Sequence, residues 1–72
     1  MTRKRIITPA FVIDNIDVMK LNRKQKGVTQ QTLALKTGVS MEMIGQYERF
    51  TCLPGKNNYN KLAQFFGWQL WD

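Results

Sequence analysis

Ala34, Gly38 and Ile44 place the tightest constraint on this chain. They lie within the run Gln30 to Arg49, where a small residue is followed by glycine and then by a branched aliphatic residue. That spacing describes two short helices crossing at a tight turn. A small side chain at the crossing lets the two backbones approach closely. Glycine accepts the turn, often at positive φ. The aliphatic residue anchors the second helix in whatever core the chain can build.

Seventy-two residues allow one small domain with one modest core. Eleven lysines and arginines against five acidic residues leave a net charge of +6. The sequence pI is about 9.9. That balance favours an anionic partner: nucleic acid, an acidic protein surface or an anionic membrane. Histidine is absent, so the commonest general base and metal ligand is missing. The single cysteine, Cys52, can form neither an internal disulfide nor a cysteine cluster. It reads as a small half-buried side chain in a reducing cytoplasm. No metal and no cofactor is expected.

The chain carries no apolar run long enough for a transmembrane helix. Ile6-Ile7 is cut short by Thr8-Pro9, too soon for a secretory signal. A cytoplasmic protein is the expectation.

The expected organisation is all-α, a small four- to five-helix domain. Residues 1–8 read as a basic arm, 9–67 as the domain and 68–72 as a short apolar tail. Thr8 and Pro9 suit a helix start, with Thr8 as cap and Pro9 as first helical residue. A first helix is expected over residues 9–26, with Lys20, Arg23, Lys24 and Lys26 near its negative end. Thr29 should cap a second helix over 30–37, and Ser40 a third over 41–49. Pro54-Gly55 marks a loop, and a fourth helix should cover 56–66 and stop at Gly67.

With these elements placed, the chain resembles the Cro/repressor-type helix-turn-helix family, also called XRE-like, whose fold is that of lambda repressor. Gly27-Val28-Thr29-Gln30 resembles the family's Gly-Leu-Thr-Gln entry to its second helix. Leu33-Ala34, Gly38-Val39-Ser40, Ile44 and Tyr47-Glu48 fall at its core and turn positions. Leu62-Ala63 with Gly67 resembles the ending of its fourth helix. The resemblance implies an ion pair between Arg23 and Glu48, joining the ends of two helices.

It also implies a double-stranded DNA operator as partner, with the third helix set against base edges in the major groove. Gln30 then takes the phosphate-facing place. Ser40, Met41, Glu42 and Gln46 take the places at the reading helix. Lys56 lies where the backbone approaches, and Arg3, Lys4 and Arg5 add phosphate contacts from the arm. Gln46 suits adenine, and Met41 offers an apolar contact to a thymine methyl. Glu42 suits cytosine, although phosphates repel its charge. The third helix has no lysine or arginine before Arg49, and most positive charge sits on the first helix and the arm.

The first helix carries two apolar stripes. Val12, Ile16 and Met19 share the core-facing side. Phe11, Val18 and Leu21 lie on another. One arrangement packs Phe11 on Trp68 or Trp71 and Leu21 on the last helix. The other leaves Phe11, Val18 and Leu21, beside Lys20 and Lys24, as a docking surface for a partner protein.

Two functions follow. The first is a Cro-type regulator that occupies an operator as a dimer. The second is an antirepressor that binds a cognate repressor and changes its grip on DNA. Size, reading helix and second stripe resemble the modulator-of-repression proteins of temperate phages. With five residues past Gly67, the expected state is a monomer or weak homodimer. An antitoxin lacks its usual toxin-wrapping segment here. An enzyme is not expected: Asp14 and Asp17 have no histidine or phosphate-cradling loop beside them. The same two aspartates interrupt the basic side of the first helix and argue against a membrane-surface role.

Overall fold

Val12, Ile16, Met19 and Arg23 recur at helical spacing, and all four are buried. They form one inward stripe, yet the stripe spans two helices. The computed structural model describes residues 8–72. It contains α1 (Ala10–Asp17), α2 (Met19–Gln25), α3 (Gln30–Thr37), α4 (Met41–Glu48) and α5 (Lys56–Phe66). No strand occurs among the described residues. Arg3, Lys4 and Arg5 lie outside them.

The single first helix expected over 9–26 is therefore corrected to two. Val18, with φ −103° and ψ 6°, interrupts it. No proline or glycine marks the break. The inward stripe keeps its register across it, so periodicity alone reads the two helices as one. The start is corrected as well. Pro9 is the N-cap, no side-chain cap bond is made there, and Ala10 is the first helical residue. Thr8 does not cap.

α3 and α4 form the crossing pair. Thr29 Oγ1 accepts from the Thr32 amide at 3.0 Å. Ser40 Oγ accepts from the Met43 amide at 3.2 Å. Each bond satisfies one orphan donor at a helix start. Between the helices Gly38 sits at φ 80°, in the left-handed region where a side chain is strained. Thr37 Oγ1 donates to the Leu33 carbonyl at 2.7 Å and accepts from the Val39 amide at 3.2 Å. The turn is thus held by a side chain as well as by glycine. Leu33, Val39 and Ile44 lock it into the core.

α4 ends one residue early, with Arg49 as C-cap. Phe50 follows at φ 61°, a conformation bulky residues rarely adopt. Phe50 N–H donates to the Tyr47 carbonyl at 3.0 Å and Thr51 N–H to the Gln46 carbonyl at 3.0 Å. This pairing is the Schellman ending, with phenylalanine where glycine is usual.

Tyr59 on α5 is fully buried and organises the other end of the domain. Its ring meets Phe11 edge-on at 6.0 Å, stacks on Trp68 at 5.9 Å and meets Trp71 edge-on at 6.2 Å. Its hydroxyl accepts from Asn15 Nδ2 at 2.9 Å and donates to the Gln69 carbonyl at 2.7 Å. Asn60 pairs with Trp71 in both directions, at 2.8 Å and 2.7 Å. The tail is therefore tied along α5. Phe11 reaches the aromatic cluster through Tyr59. Leu21 does not pack on the last helix; it is 58% exposed.

Candidate nucleic-acid interface

The pose of the crossing pair depends on one buried carboxylate. Glu48, near the end of α4, accepts from Arg23 Nε at 2.6 Å and from Arg23 Nη2 at 3.1 Å. It also accepts from Gln30 Nε2 at 3.0 Å. Arg23 Nη1 donates to the Val28 carbonyl at 2.8 Å. The two charged side chains are only 10% and 3% exposed. Residues from α2, α3 and α4 thus share one charge-assisted network. Among the described residues no buried side-chain nitrogen or oxygen lacks a partner.

This network changes the part Gln30 can play. One of its two amide N–H donors goes to Glu48, which holds the carboxamide nitrogen against the buried network. Gln30 is half-buried and orients Glu48, as it stands. Ser40 uses its oxygen as a cap, while its hydroxyl proton makes no bond among the described residues. Met41 is 50% exposed at the start of α4. Glu42 is exposed beside it, in the first turn, where a negative charge suits the helix dipole.

Gln46 is half-buried, and its Oε1 accepts from Cys52 Sγ at 3.3 Å. That contact fixes the carboxamide and leaves Nε2 as the polar end without a partner among the described residues. Lys56 starts α5 and holds its Nζ 5.9 Å from the centre of the Trp71 ring. It lies toward the tail. Lys20 and Lys24 are exposed on α2. Near them Val18 is 39% and Leu21 58% exposed, whereas Phe11 is half-buried in the aromatic cluster.

Arg49 and Gly45 were not among the residues that the sequence singled out. Arg49 is exposed, and its guanidinium lies back along α4 toward Gly45. One signal was available: glycine inside a helix costs about 0.5–1 kcal/mol relative to alanine, so its presence asks for a packing reason.

The arrangement is two capped helices at a glycine turn, with the second helix exposed at its first residues and backed by the core. The helix-turn-helix family model matches residues 19–67, which span α2 to α5. The chain belongs to the helix-turn-helix family. The match points to a DNA-binding transcription regulator, in a family typically without enzymatic activity. No curated protein and no solved structure matches it. α1 and the tail lie outside the matched helix-turn-helix region, and Tyr59 joins both to it. Among the described residues no helix is long and apolar enough to cross a membrane. No group of three or more potential metal-ligating side chains gathers among them.

Proposed function

We propose that this helix-turn-helix protein regulates a genetic switch of the kind temperate phages carry, binding operator DNA through α3 and the start of α4. The observation that carries this reading is the exposed N-terminal turn of α4, held at a fixed angle to α3 by the buried Glu48 network. A helix so held can enter the major groove without rearrangement. Met41, Glu42 and Gln46 read bases, and Ser40 and the basic arm at Arg3, Lys4 and Arg5 meet phosphates. The protein acts in the cytoplasm, as a monomer or weak homodimer that pairs on DNA.

A second reading is favoured by a separate observation. Val18 and Leu21 are exposed beside Lys20 and Lys24, on the opposite flank from the core stripe. Such a surface suits a cognate repressor with an apolar groove and an acidic rim, and makes the protein an antirepressor.

One experiment separates the two. The purified protein is titrated onto labelled DNA from its own promoter region, with and without the neighbouring repressor. A specific shift by the protein alone, lost with Gln46→Ala, supports operator binding. No shift alone, together with a changed repressor shift lost on Val18→Asp or Leu21→Asp, supports the antirepressor. If neither a shift alone nor an altered repressor shift is seen, both readings fail.

A further inference from the structure

Gly45 lies mid-way along α4, on its buried side. A Cβ placed there would stand 3.2 Å from Arg49 Nη1 and 4.0 Å from Arg49 Cζ. It would also stand 3.9 Å from Gln30 Oε1. The missing side chain leaves a notch between α4 and the start of α3, and these two groups border it. Arg49 is one turn past Gly45, and helical side chains lean toward the N-terminus. Its charge is therefore carried back from the end of α4 to the seam between the two helices. The guanidinium makes no hydrogen bond or ion pair among the described residues.

We infer that Arg49, seated by Gly45, is the residue of the crossing pair that neutralises a DNA backbone phosphate, in the place sequence reasoning gave to Gln30. Three observations support the exchange. Gln30 gives one amide N–H to Glu48, which holds its nitrogen at the buried network, and it turns its uncharged carbonyl oxygen toward the notch. α4 holds no cation of its own, the one on α3, Lys36, lies in that helix's last turn away from Gln30, and the one exposed acid of α4, Glu42, sits at its far end. Arg49 is exposed, while the side chains beneath it are pinned by the Glu48 network. A guanidinium matches the geometry of phosphate oxygens and stays charged at every working pH. Gly45 is a positioning residue in this scheme.

The inference rests on the DNA-binding reading, and the test tells the two apart. Affinity for a labelled duplex of the promoter region is measured by fluorescence anisotropy across a salt series. The proteins are wild type, Arg49→Ala and Gly45→Ala. Losing one phosphate contact should lower the slope of log K against log salt by about 0.9 and weaken binding roughly eightfold at 0.1 M salt. Arg49→Ala should do this equally on promoter and unrelated duplexes, since phosphates carry no sequence. Gly45→Ala should displace the guanidinium and weaken binding while raising Tm by about 2–8 °C, because alanine is the better helix former. Loss of binding in a more stable protein is a result that simple misfolding cannot give. If wild type binds and Arg49→Ala keeps its slope, this inference alone is overturned. If wild type binds no duplex at low salt, the DNA-binding reading falls and takes this one with it.

Discussion

Replacing Arg23 by methionine tests whether Glu48 is the joint of the domain. Methionine fills much of the arginine's volume but removes both bonds from Arg23 to Glu48 and the one to the Val28 carbonyl. Glu48, 3% exposed, would keep only the bond from Gln30. Two lost bonds to a charged group, at roughly 1.5–3 kcal/mol each, give about 3–6 kcal/mol. Breaking a buried pair from one side independently suggests about 3–5 kcal/mol. In a domain of this size each kcal/mol moves Tm by about 4–8 °C, so a fall of at least about 12 °C is expected. Urea unfolding followed by circular dichroism measures the free energy, and thermal melts give the shift. The double variant Arg23→Met with Glu48→Leu should recover most of the loss, because no charge is then left buried without a partner. A cost below about 1 kcal/mol for Arg23→Met would refute the reasoning, because exposed ion pairs are worth no more than that. Failure of the double variant to recover would show that Gln30 and Val28, not the charge, hold the seam.

Further outcomes follow from single positions. Gly38→Ala meets no atom within 4 Å, so its cost should be purely conformational, about 1–2 kcal/mol by chemical denaturation. Tyr59→Phe deprives Asn15 and Gln69 of their partner and should cost about 1–3 kcal/mol, with Trp68 and Trp71 emission changed as the tail loosens. Thr29→Ala removes the cap of α3 and should cost about 1 kcal/mol in the same assay.

α3 and α5 were readable from the sequence to the residue, and the reasons are local. Thr29 caps the first of these helices, and Gly38 and Gly67 end the pair in the left-handed region. The core was readable through its period, since Val12, Ile16 and Met19 on one side and Leu33, Ile44 and Leu62 on the other are buried as their spacing requires. The break at Val18 was not readable, because the inward stripe runs through it in phase. The candidate site was less readable than the fold. Motif position brings Gln30 to the surface of the reading helices, but the direction its amide faces depends on Glu48, eighteen residues away. Arg49 was hidden for the same reason: its place depends on a side chain that Gly45 does not have.

Glu48 collects donors from two other helices within the free protein. The angle between α3 and α4 is therefore settled before a duplex arrives, and little ordering entropy remains to be lost at that seam on binding. Encounter with DNA should then be governed by orientation and electrostatic steering, not by a slow internal step. Association should slow as salt is raised. Differences between operator and unrelated sequences should appear chiefly in how long the complex lasts.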